Sequence, residues 1–211
     1  MLRIEDITDE HGVFLVRLAR KAIETYILKE EKISPPSDTP KILREKAGVF
    51  VTLNRLINGE EELRGCIGYV LPYLPLVEAV IDSAISAATR DPRFAPVMDY
   101  ELDEIVVEVT ILTPPQKIEV KDPREYLEKI EIGKDGLLLE WHGFGGTLLP
   151  QVPVEYGWDV ETFLRHLCMK AGLPTDCWKW KEVTIHKYQG VIFKEVKPRG
   201  DVVRIELKHR R

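Results

Sequence analysis

Near the N-terminus, Phe14, Leu18, Ala22, Ile23 and Tyr26 recur at helical spacing, which predicts a helix to about Lys29 with one buried stripe. Thr8 and Asp9 just before it offer side-chain acceptors for the unpaired N–H groups of a helix start. The pattern then stops at "KISPPSDTPK", whose three prolines exclude both helix and central strand and mark a boundary or an extended arm. From Gly48 to Val70 the apolar positions roughly alternate on either side of Asn58-Gly59, which predicts a β-hairpin. Helical periodicity returns after Pro75, with Val77, Val80, Ala84 and Ala87 or Ala88 on one face and small residues that permit close packing on a sheet. "RDPRFAP" breaks that pattern, and "EIVVEVTIL" after it is the clearest strand of the chain.

The remaining third is more broken. "DPREYLEKI" predicts a short helix with Pro123 in its first turn, and "KDGLLLEWHGFGGTLLPQ" predicts short strands around two glycine turns. "TLLPQVP" carries two prolines, so no helix is expected until a third one opens at Asp159 and ends at Gly172. "VTIHKYQGVIFKEV" closes the fold as one or two strands. Strands and helices do not alternate strictly, so the expected class is α+β, a mostly antiparallel sheet flanked by helices. The proline-rich breaks bracket residues 40–96 as a smaller hairpin-plus-helix subdomain, inserted into a larger one made of 1–39 and 97–211.

Composition narrows the function classes. The net charge of −5 over 211 residues speaks against binding nucleic acid through bulk charge, and the basic C-terminus reads as a solvated tail. No 18-residue apolar stretch suggests a membrane span, and the acidic start lacks the order of a signal peptide, so a cytosolic chain is expected. Abundant Lys and Glu with few Met and Cys fit a heat-adapted, thermostable protein. In that compartment Cys66, Cys168 and Cys177 are expected as free thiols, with a Cys168–Cys177 bridge as the alternative that a heat-adapted organism allows.

Candidate chemistry concentrates in "EELRGCIGYVLP". Strict alternation puts Leu63 and Ile67 on one face with Gly65 between them, and Arg64, Cys66 and Gly68 on the other. The glycines would let a ligand or another backbone approach. Cys66 is then either a thiol activated by the neighbouring guanidinium or inert packing. Arg64 must reach water, a carboxylate or an anion. Either it pairs with Asp91 of the proline-fixed loop, or it joins Arg90 and Arg93 in an anion site. "HGFGGT" lacks the helix that a phosphate-cradling loop requires and reads as a hairpin turn. The histidines are scattered, and no metal-ligand spacing occurs.

The hexapeptide "LRGCIG", Leu63 to Gly68, resembles the signature of the AMMECR family, and "RDPRFAP", "EVTILTPP", "GLLLE", "GTLLPQV", "FLRHLCMKAGL" and "FKEV" extend the resemblance along nearly the whole chain. The chain is similar to the compact prokaryotic-type members. The resemblance implies a two-part α+β domain with a groove between unequal lobes, lined by Arg64, Gly65, Cys66, Gly68, Arg90, Asp91, Arg93 and Gln151. It also implies Memo-type or radical-SAM proteins as possible partners, and leaves any cofactor unknown. The expected function is a binding or accessory domain whose groove takes an anionic small molecule or a partner segment. The alternative is a thiol-dependent enzyme with Cys66 as nucleophile or redox residue.

Overall fold

The computed structural model describes residues 2–207 and divides into two units. The first takes the chain up to Thr113 together with Val191–Ile205, and the second consists chiefly of Pro114–Gly190. The elements of the first unit are helix α1 (Asp9–Lys29), strands β1 (Gly48–Ile57) and β2 (Glu60–Tyr69), helix α2 (Leu76–Thr89) and strand β3 (Ile105–Leu112). Those of the second are β4 (Gln116–Lys117), α3 (Tyr126–Lys129), β5 (Asp135–Trp141), β6 (Phe144–Leu148), α4 (Gln151–Glu155) and α5 (Val160–Lys170). Strand β7 (Thr184–Glu195) begins in the second unit and ends in the first, where β8 (Val202–Ile205) pairs with it.

In the first unit the strands run β2-β1-β3, then the end of β7 and β8; the pairs β1/β2, β1/β3 and β7/β8 are antiparallel. Val49, Val51 and Leu53 of β1 and Ile105, Val107, Val109 and Ile111 of β3 point to one face and are fully buried. Helix α2 packs on the β1–β2 hairpin and on α1, so it is buried nearly all round rather than along the single stripe expected. Its Ala and Ser positions make that possible, because small side chains let helix and sheet backbones approach closely. The expected subdomain boundaries at 40 and 96 are therefore not where the fold divides. The other neighbour of β1 is β3, beyond residue 96, and α2 packs on α1, before residue 39, so the hairpin and its helix share one core with the N-terminal helix.

The capping residues act as the sequence suggests. Thr8 Oγ1 accepts the N–H of His11, and Asp159 accepts that of Thr162 at the start of α5. Asn58 and Gly59 make the hairpin turn with φ of 53° and 86°, the left-handed pair that such a turn requires. In the second unit β6-β5-β7-β4 form the sheet, with Leu137, Leu139 and Ile185 packed against Phe163, Leu164 and Leu167. Two expectations fail here. Cys168 and Cys177 are fully buried and joined by a disulfide, not free. Residues 151–155 form α4 despite Pro153, which stands in the first turn, where a missing N–H interrupts no intrahelical bond. Among the described residues no helix is long and apolar enough to cross a membrane.

Candidate functional site

The β1/β2 register runs from Ile57↔Glu60 to Asn54↔Leu63 and resumes at Leu53↔Gly65, so Arg64 is the extra residue of a β-bulge. The bulge resets the alternation. Gly65 turns towards α2, Ile67 packs on the core, and Cys66 faces away from it beside Thr52. Arg64 leaves the strand and forks onto Glu101, with Nε to Oε1 at 2.9 Å and Nη2 to Oε2 at 3.0 Å, and donates to the carbonyl of Ala95 at 2.8 Å. Burial pushes the Glu101 carboxyl up. The Arg64 guanidinium and the Met98 N–H outweigh that and hold it below the usual carboxylate range. Arg64 is thus neither paired with Asp91 nor set beside the thiol; its charge is satisfied by Glu101.

Asp91 is engaged by the signature strand itself. Its carboxylate, 2% exposed, accepts the Cys66 N–H at 2.9 Å and the Arg93 N–H at 3.1 Å, and Arg93 Nε and Nη2 fork onto it at 3.0 and 2.8 Å. The Arg93 hydrogen bonds, reinforced by the Cys66 N–H against the effect of burial, hold its carboxyl at about 2. Asp91 therefore stays ionised at neutral pH and pins the loop "RDPRFAP" to β2. Outside this pin, Arg93 keeps 52% of its side chain exposed, and the Phe94 ring lies between the Arg64 and Arg93 guanidiniums at 6.0 and 5.4 Å. Arg90 is exposed, and among the described residues its side chain makes no hydrogen bond.

Cys66 forms the first member of a row across three strands: Cys66 pairs with Thr52, and Thr52 with Glu108. Thr52 Oγ1 donates to Cys66 Sγ at 3.3 Å. Burial pushes the thiol up; Thr52 and the Arg93 charge oppose this, while Glu108 and Asp91 add to it. The thiol is therefore protonated at neutral pH, and thiolate chemistry is suppressed. Cys66 is the free cysteine of the chain, so intact-mass spectrometry reads it directly. The native protein is expected to take up one iodoacetamide at least about tenfold more slowly than a free thiol at the same pH. Uptake as fast as a free thiol would contradict the half-buried, protonated assignment.

The glycines of the signature are taken up by the protein's own packing. A Cβ on Gly65 would stand 2.1 Å from the Ala87 carbonyl oxygen, and one on Gly68 would stand 2.1 Å from that of Val49. Of the residues expected to line a site, Cys66, Asp91 and Arg93 are in direct contact, Arg64 joins them through Phe94, and Arg90 lies on the same loop. Gln151 lies in the second unit, buried in α4. Thr52, Glu101 and Glu108 belong to the site and carry no sequence signal. Among the described residues no group of three or more His, Cys, Asp or Glu is placed to hold a metal ion.

The model of the AMMECR1 family matches residues 16–193. Protein MJ0810 of Methanocaldococcus jannaschii is 53% identical over 95% of this chain and 98% of its own. Protein PYRAB00100 of Pyrococcus abyssi is 54% identical over 95% of this chain and 98% of its own. The fold resembles the crystal structure of PH0010 from Pyrococcus horikoshii, with a TM-score of 0.91 and 53% identity, covering 95% of this chain and 99% of that one. Relatives from heat-loving archaea fit the thermostable composition.

Proposed function

Because the chain belongs to the AMMECR1 family, we propose that its first unit is a binding module, not a catalyst, and that the loop of Arg90, Asp91 and Arg93 with the bulged strand is its recognition surface. The ligand is an anionic small molecule. One observation carries this reading. Asp91 is fixed by four hydrogen bonds to Cys66 and Arg93, which preorganises a loop whose Arg90 and Arg93 guanidiniums remain open to solvent. Guanidiniums match carboxylate and phosphate groups bidentately, and a loop fixed in advance loses little backbone entropy on binding. Cys66 and the two glycines support the strand beneath. A thiol-dependent reaction finds no support in a half-buried, hydrogen-bonded thiol whose titration is pushed up.

Met98 and Tyr100, 52% and 70% exposed a few residues on, favour a second reading in which the anion is an acidic segment of a partner. Memo-type and radical-SAM proteins are the candidates. In either reading the domain works in the cytosol.

Calorimetric titration with inorganic phosphate, pyrophosphate and citrate at low ionic strength tests the first reading. Arg90→Ala is expected to weaken the tightest of these about tenfold, the weight of one charge-assisted hydrogen bond, while Cys66→Ser leaves it unchanged. Indifference of binding to Arg90→Ala, or no saturable heat with any of the three anions, would refute the small-molecule reading.

A further inference from the structure

A second site lies wholly within the second unit. An open cavity of about 700 Å³ covers the β5–β6 hairpin and the approach to β7, lined among others by Glu140, His142, Phe144, Gly145, Glu182 and Thr184. Register explains its walls. Glu140 pairs with Gly145 on one side and Thr184 on the other, so the three side-chain positions share one face of the sheet. Gly145 has no side chain, and a Cβ there would meet nothing nearer than the Leu139 carbonyl at 3.4 Å, so the floor is bare backbone with room above it. The two-residue turn His142-Gly143, with φ of 42° and 85°, closes the hairpin, and the His142 and Phe144 rings, which also line the cavity, contact the Trp141 ring at 5.0 and 5.7 Å.

The charge of the lining is one-sided. Glu140 and Glu182 are exposed carboxylates, and no Lys or Arg lines the cavity. Among the described residues Glu182 makes no ion pair, and Glu140 reaches only His186 Nδ1, at 3.8 Å. Asp91, Glu101, Asp122 and Glu195, by contrast, are each ion-paired with an arginine. A cavity within the usual size range of ligand pockets, with two carboxylates and aromatic rings in its lining and a glycine-bare floor, suits an organic cation.

We infer that this cavity binds an alkylammonium group, held between Glu140 and Glu182 with its methylene chain over Gly145. The site is independent of the arginine loop of the first unit. The ammonium comes either from a free polyamine or from a lysine side chain, and the two are separable. Titration with 1,4-diaminobutane and spermidine provides the first arm, and titration with an acetylated, amidated Gly-Lys-Gly peptide the second. Saturable binding in the first arm identifies a free amine, and in the second alone a protein lysine. Glu140→Gln and Glu182→Gln should each weaken binding about tenfold or more. Gly145→Leu, which fills the cavity without changing charge, should abolish it. Glu60→Gln/Glu62→Gln, which removes two exposed charges from β2, should leave it unchanged. The inference is overturned if neither arm saturates, if binding survives Gly145→Leu in a folded protein, or if the β2 variant loses as much as the cavity variants.

Discussion

Arg20→Met is expected to lower the unfolding free energy by about 3–5 kcal/mol, the usual consequence of stranding one partner of a buried ion pair. Arg20 of α1 is 6% exposed and Glu195 at the end of β7 is fully buried. Arg20 forks onto both Glu195 oxygens and donates to the carbonyls of Leu102 and Ile105, while Glu195 also accepts the Val107 N–H at 3.0 Å. One guanidinium therefore ties the helix, the start of β3 and the end of β7 together at the point where the chain returns to the first unit. Without it the carboxylate keeps the Val107 N–H and the partly exposed Arg17 at 3.7 Å, too little to replace solvent. The double variant Arg20→Met/Glu195→Leu removes both charges and fills their space, and should recover most of the loss, because a matched apolar pair needs no desolvation. Guanidinium chloride melts of the single and double variants decide the matter. A single-variant loss under about 1 kcal/mol would mean that the pair is solvated and contributes no more than a surface bridge.

How far the sequence discloses this protein depends on the range of the interaction. The α1 start at Thr8, the Asn58-Gly59 turn, the β3 strand and the Asp159 cap all follow from neighbours within four residues, and the structure has them in place. Longer-range features escape. The Asn58-Gly59 turn, extended without interruption, sets Gly65 opposite Thr52; the bulge at Arg64 moves Cys66 there instead, and nothing in "LRGC" announces the extra residue. Glu101, the partner of Arg64, lies 37 residues downstream, farther along the chain than Asp91. Glu108 lies in a strand that otherwise reads as core, and only the three-strand register reveals that it shares a row with Thr52 and Cys66. The disulfide depends on the fold bringing α5 beside Cys177, which spacing alone does not fix. For the same reason the two units do not divide at the prolines: those at 35–40 and 92–96 punctuate the chain, but a boundary is set by which faces share a core.

The second large effect is expected at the signature glycine. Gly65→Ala should destabilise the protein by about 1–3 kcal/mol, the range for inserting atoms into a packed interior. The added Cβ meets a backbone carbonyl, that of Ala87, at 2.1 Å, and backbone has no rotamer by which to yield. Helix α2 would have to withdraw from β2, and α2 runs directly into Arg90, Asp91 and Arg93, so the Asp91 contact to the Cys66 N–H would lengthen as well. Stability and anion binding should therefore fall together in Gly65→Ala, whereas Cys66→Ser, whose hydroxyl can keep the Thr52 contact, should move neither by much. Melts and phosphate titrations of the same two proteins separate packing from ligand contact. If Gly65→Ala keeps full stability yet no longer binds the anion, the missing side chain makes room for a ligand and not for α2. The close approach of helix to strand would then not be what the signature encodes.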